Sequence, residues 1–138
     1  MHRNPDRPLS PHLTIWKWGP HMLASILSRI TGAGLAAVGG MLFVWWLVAA
    51  ASGPESYAKF TDLLTTDDGA LNIVGYVLGI GLSWALFQHM LTGIRHLVMD
   101  MGAGFELSTN KFWAMVTVAG ALLLTGLFWA WIVIGRGA

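Results

Sequence analysis

The chain has 138 residues, 55% hydrophobic and 11% charged, with a formal charge of +1 and a mean hydropathy of +0.61. An ordinary soluble domain carries about 25% charged residues, so this composition excludes a disordered tail, a nucleic-acid binder and nearly every soluble enzyme class. Cysteine is absent, which excludes disulfide staples, zinc–thiolate sites, protein-held iron–sulfur clusters and covalently attached heme.

The first 19 residues carry Pro5, Pro8 and Pro11 and hold no apolar run before Pro20. They read neither as a secretory signal nor as an Arg/Ser-rich transit peptide. The prolines predict an extended arm rather than a regular helix. With Ile15, Trp16 and Trp18 the arm suits a membrane surface or a partner. Gly19-Pro20 then reads as a helix start, with proline at the first helical position.

The charged side chains leave three long gaps: between Arg29 and Glu55, between Asp68 and Arg95, and between Lys111 and Arg136. Each exceeds the roughly 20 residues that carry a helix across a bilayer. Only a helix crosses as a single segment. The expected fold is therefore an all-α membrane protein with three transmembrane helices, spanning about 30–52, 70–94 and 112–135. Residues 20–138 form one domain behind the arm 1–19. A first helix from Pro20 to Ala51 would be about 48 Å long, so its first turns lie at the interface or under a partner. Asp62, Asp67 and Asp68 read as a solvated loop between the first two spans. Trp16, Trp18, Trp113, Trp129 and Trp131 fall near predicted interfaces and read mostly as belt residues.

Lys and Arg set the orientation. Arg3, Arg7, Lys17, Arg29, Arg95 and Lys111 fall on the N-terminal side, against Lys59 and Arg136 on the other. This predicts a cytoplasmic N-terminus.

Polar groups cluster at that same side. On the second span His89, Thr92, Gly93, His96 and Asp100 stand at i, i+3, i+4, i+7 and i+11, one face if the helix continues. His89 lies about 9 Å inside Arg95 by the helical rise. A neutral imidazole there suits a metal, and Gly93 one turn away leaves room for a flat macrocycle. Heme b fits this layout, with Arg95 and His96 placed to meet its carboxylates. A histidine that hydrogen-bonds a neighbouring helix fits it too. One chain offers one such ligand, so a six-coordinate heme needs another subunit. On the first helix Ser25, Arg29 and Gly32 share a face. A hydroxyl and a guanidinium at the membrane edge suit the carbonyl of a quinone. The plainer alternative is a snorkelling arginine.

Three blocks carry a family resemblance: Arg7-Pro8-Leu9-Ser10-Pro11-His12-Leu13-Thr14-Ile15-Trp16, Ser25-Ile26-Leu27-Ser28-Arg29-Ile30-Thr31-Gly32, and the stretch from His89-Met90-Leu91-Thr92-Gly93-Ile94-Arg95-His96 to Asp100. In order and spacing they resemble the cytochrome b556 subunits of succinate dehydrogenase, the larger membrane anchors of respiratory complex II. The resemblance implies a heme b-binding anchor that pairs with a second three-helix anchor and docks an iron–sulfur subunit and a flavoprotein subunit. Succinate would be oxidised on the flavoprotein, and electrons would pass to ubiquinone at the membrane edge. By motif match His89 is the axial heme ligand, opposite a histidine of the second anchor. Ser25, Arg29 and Trp18 match quinone-site positions, Arg29 and His96 lie near the heme propionates, and Asp100 supports the site or a proton path. Many relatives carry histidine where this chain has Ser28, which removes one propionate contact. The arm begins near the initiator Met, as expected of a bacterial cytoplasmic-membrane protein. Two alternatives remain open at this point: a quinol:fumarate reductase anchor, and a structural anchor without heme.

Overall fold

The computed structural model describes residues 6, 8, 15 and 17–136. Most of the arm, including Trp16, therefore lies outside the described residues. Ile15 has helical backbone where an extended arm is expected. The last proline of the arm is Pro11, so nothing at residue 15 opposes a helical turn.

Helix α1 spans Pro20–Gly34 with proline in its first turn, as the Gly19-Pro20 signal predicts. A π-helical turn, Leu35–Gly39, joins it to α2, Gly40–Ala51. It falls where Gly34, Gly39 and Gly40 weaken the α preference. Together these segments make one span of 32 residues, Pro20–Ala51. Helix α3 is Pro54–Leu64, α4 is Ile73–Asp100 and α5 is Leu107–Arg136. The spans Pro20–Ala51, Ile73–Asp100 and Leu107–Gly135 are each long and apolar enough to cross a membrane. Their outward faces are lined with large apolar side chains such as Phe43, Val77, Leu123 and Trp131. In water that would be untenable, and in a bilayer it is the expected surface.

The helices meet through small residues. Ala24, Ala85, Ala114 and Ala121 are buried, which lets backbones approach closely where lipid offers no hydrophobic drive. At the α4–α5 contact Gly79 receives the ring of Trp129: a Cβ there would lie 2.7 Å from it. The same indole donates to Ser83 Oγ at 2.9 Å. Trp129 therefore ties two spans together. Buried threonines return their hydroxyls to their own helix, Thr125 to Ala121 O at 2.7 Å and Thr92 to Gln88 O at 2.8 Å. These threonine hydroxyls are thereby kept from facing an apolar neighbour unpaired.

The loop between the first two spans corrects the sequence reading. Asp62 lies on a helix, α3, that starts at Pro54 and has Glu55 in its first turn. Proline at N1 with an acid beside it is a helix-start signal. Phe60 of α3 is buried and meets Trp45 of α2 edge to face at 5.0 Å. Asp67 and Asp68 do lie in an exposed turn, closed by an antiparallel bridge between Thr65 and Leu71.

Candidate functional site

Helix α4 continues without a break through Arg95, His96 and Asp100. The residues expected on one face do not all stay together. Thr92 is completely buried beside Gln88, whose Nε2 donates to Thr92 Oγ1 at 2.9 Å. His89, His96 and Asp100 are exposed, and Gly93 is half-buried. Thr92 sits about 60° around the helix from His89, on the inward side. The outward face is thus His89, Gly93, His96 and Asp100.

His89 bridges to α1. Its Nδ1 is 3.1 Å from the backbone oxygen of Ser28. A carbonyl oxygen can only accept, so Nδ1 carries the proton and donates. In the neutral ring Nε2 then keeps its lone pair. The ring packs into the gap left by Gly32, where a Cβ would lie 2.8 Å from His89 Cε1 and 3.2 Å from Nδ1. Ser28 O also accepts from Thr31 Oγ1 at 3.2 Å, and Thr31 Oγ1 donates more closely to Leu27 O at 2.7 Å. The imidazole is therefore held on one edge and one face by backbone alone. The sequence named Gly32 and the altered Ser28, but backbone carbonyls are invisible to residue patterns. The legible signal was a glycine one turn beyond Ser28 on a helix that had to pack.

Arg29 follows Ser28, and Ser25 lies one turn before Arg29. Arg29 is exposed and Ser25 half-buried, and neither makes a side-chain hydrogen bond among the described residues. The α1 face Ser25–Arg29–Gly32 and the α4 face His89–Gly93–His96 thus adjoin along the His89–Ser28 contact. A Cβ at Gly93 would meet nothing within 4 Å. Open space therefore lies one turn from the imidazole, where a flat ring system would have to approach. Among the described residues no group of three or more His, Cys, Asp or Glu could hold a metal ion. A metal at His89 needs its other ligands from elsewhere, and a tetrapyrrole brings four.

Two expected residues are placed elsewhere. Arg95 turns to α5, donating through Nη2 to Asn110 Oδ1 at 2.6 Å. It stabilises the turn between α4 and α5, where Gly102 and Gly104 take positive φ angles of 86° and 79°. It is not placed to meet a carboxylate beside His96. Trp18 lines a groove between the start of α1 and α5, with Leu23, Ala114 and Leu122 among its walls, and Ser25 and Arg29 do not line it. Leu23 and Ser25 are two residues apart, about 200° around the helix, so the groove and the Ser25–Arg29 face lie on opposite flanks.

Fold and site together define a class: a three-span helical membrane protein with an accessible imidazole and an arginine at one edge of the bundle. The family model for the succinate dehydrogenase/fumarate reductase transmembrane subunit matches residues 3–128. The chain is 37% identical over 119 residues to the succinate dehydrogenase cytochrome b556 subunit of Paracoccus denitrificans, covering 86% of each chain. It is 36% identical over 123 residues to the subunit of the same name from Rickettsia conorii, covering 89% of this chain and 90% of that one. It is 35% identical over 122 residues to the mitochondrial cytochrome b560 subunit of Mus musculus, covering 88% of this chain and 69% of that one. The chain belongs to the succinate dehydrogenase/fumarate reductase transmembrane subunit family, the membrane part of an enzyme complex.

Proposed function

We propose that this chain is the heme b-binding anchor of a succinate:quinone oxidoreductase in a bacterial cytoplasmic membrane, with its N-terminal side cytoplasmic. The observation that carries the reading is the His89 Nδ1 contact to Ser28 O. It leaves Nε2 as the lone-pair atom on an exposed ring, and a backbone acceptor on the other nitrogen is the usual support of a metal-bound histidine. His89 would hold the heme iron from this chain, and a second anchor subunit would supply the other protein ligand. When bound, heme b supplies a one-electron carrier in the membrane next to the quinone site. Gly93 would leave room for the macrocycle, the Arg29 guanidinium would pair with a propionate and the His96 ring would hydrogen-bond to one.

Ser25 and Arg29 bind ubiquinone. The Ser25 hydroxyl donates to one carbonyl oxygen, and the Arg29 guanidinium stabilises the negative charge that grows there during reduction. A guanidinium offers a delocalised positive charge and a planar fork of N–H donors rather than a readily transferred proton. It therefore acts as an electrostatic partner and not as the proton donor. Asp100, exposed at the end of α4, can relay protons from the aqueous side. Electrons arrive from an iron–sulfur subunit, and a flavoprotein subunit oxidises succinate. This chain contributes the membrane end of that path. The family's name also covers fumarate reductases, but the relatives compared above are all named for succinate dehydrogenase.

The test is a pair of measurements on the tagged, purified complex. A reduced-minus-oxidised spectrum should contain a b-type band that Arg29→Ala leaves in place. The same variant should lose succinate-driven quinone reduction while keeping succinate oxidation with an artificial acceptor. Equal loss of both activities would remove Arg29 from the quinone site. A wild-type complex without the band would remove heme from the proposal.

A further inference from the structure

The groove on the far flank of α1 takes no part in the site above. It has a volume of about 490 Å³ and runs along α5 past Ala114, Met115, Val118 and Leu122, with Trp18, Gly19, Pro20 and Leu23 on its other side. That volume falls within the range of about 300–1,000 Å³ usual for small-molecule sites. Its walls are almost wholly apolar, and it lies between the starts of the segments Pro20–Ala51 and Leu107–Gly135, with Trp18 and Gly19 just ahead of the first.

Its ends differ in charge. Lys111, Met115, Val118 and Leu122 stand at i, i+4, i+7 and i+11, so Lys111 heads the same α5 stripe that lines the groove. It precedes Met115 by about 6 Å of helix. Across the groove Lys17 immediately precedes Trp18. Neither lysine takes part in an ion pair among the described residues, where the pair found is Lys59–Glu55. Lys17 thus stands one residue before the groove-lining Trp18, and Lys111 about one turn before the groove-lining Ala114, each near the start of its segment. A lysine that snorkels to the interface places its ammonium among lipid headgroups.

We propose that this groove binds an anionic phospholipid, with one acyl chain along Met115, Val118 and Leu122 and the phosphate between Lys17 and Lys111. Basic sites between spans at a membrane edge select acidic headgroups by this charge pattern. A zwitterionic lipid would fill the channel equally well but gain little from the two lysines. The groove's function is then lipid selection on the side of α1 opposite to Ser25 and Arg29.

The experiment compares delipidated wild-type complex with Lys17→Gln/Lys111→Gln in mixed phosphatidylglycerol and phosphatidylcholine micelles, counting retained lipid by native mass spectrometry. Wild type should retain phosphatidylglycerol over phosphatidylcholine about 10–30-fold, and the double variant should lose that preference. Lys17 is exposed and Lys111 half-buried in the first turns of α5, and recovery of the intact complex in the same mass spectra checks that the variant assembles. Ala119→Phe, which fills the channel, should lower retention of both lipids. Equal retention of the two lipids by wild type overturns the proposal. So does selectivity that survives the double substitution. Ubiquinone recovered in place of phospholipid would reassign the groove to a quinone tail. A crosslink from residue 119 to the second anchor, with no lipid retained, would reassign it to a subunit contact.

Discussion

The two ends of the bundle are built differently. At the end holding α3, the chain satisfies itself. Asn72 Oδ1 caps α4 by accepting from Gly75 N at 2.9 Å, and its Nδ2 donates to Leu63 O at 2.9 Å. Gly75 lies so close to α3 that a Cβ would collide with the Leu64 carbonyl oxygen. Thr66 donates to Asp68, Lys59 pairs with Glu55 at 3.0 Å, and Phe60 closes on Trp45. At the other end His89, His96, Arg29 and Asp100 are exposed and face outward from α1 and α4. Ionisable groups within membrane-spanning segments are costly, which makes this exposed cluster the candidate for contact with other molecules. One end is closed by the chain's own contacts, and the other leaves its polar side chains exposed, as the proposed heme and quinone sites require.

That contrast can be broken most directly at His89. His89→Ala in the intact complex should abolish the b-type band contributed through this chain, and a spectrum identical to wild type would remove the ligand assignment. Arg29→Ala should reduce quinone reduction by about 100-fold or more, measured against succinate oxidation by an artificial acceptor. Gly32→Ala tests the backbone cradle. Its Cβ would press on His89 Cε1, so the ring must turn away from Ser28 O. Loss of such outer support weakens metal affinity about 10–100-fold. The band should shift and the heme dissociate more readily, both readable in the spectrum without turnover. An unshifted band would mean that the ring tolerates the displacement.

The self-satisfied end should respond in stability and leave the spectrum unchanged. Asn72→Ala removes the α4 cap and should cost about 1–2 kcal/mol, read by detergent-induced unfolding. Ser83→Ala, which strips the partner from the Trp129 indole, should cost about 0.6 kcal/mol, the average for hydrogen bonds between spans, and no more than about 1.7. Asp68 gives the smallest effect. The Thr66 hydroxyl and the Ala70 amide hold its carboxyl below the ordinary value of 3.8. Because the folded-state pKa is lowered, its contribution is present above about pH 4 and is lost as pH falls through the lower folded value. Wild type and Asp68→Asn should thus differ slightly in stability near neutrality and converge in acid. A gap that widens in acid would contradict the sign.

The spans were legible because a charged side chain in hydrocarbon is so unfavourable that gaps between charges mark the bilayer. The Gly19-Pro20 start was legible for a local reason, the missing N–H at the first helical position. Helix α3 escaped notice because its eleven residues are amphipathic and short, and its burial depends on Trp45, which is distant in sequence. The site divided along the same line. His89, Gly93, His96 and Asp100 could be placed on one face from spacing alone, whereas the inward turn of Thr92 depends on which flank α5 occupies. Arg95 looked like a cofactor contact until its partner across the turn, Asn110, was visible.

By itself, then, the sequence determined what hydrophobicity and helical periodicity impose: three spans, a polar edge and a lone intramembrane histidine near that edge. Tertiary structure alone decided which imidazole nitrogen is committed, that Arg95 is occupied, that Trp129 joins two helices and that Trp18 stands on the flank opposite Ser25. The physical reason is range. Burial and helix period are properties of neighbouring residues, while a carbonyl 61 positions away that accepts from His89 exists only once two helices have packed.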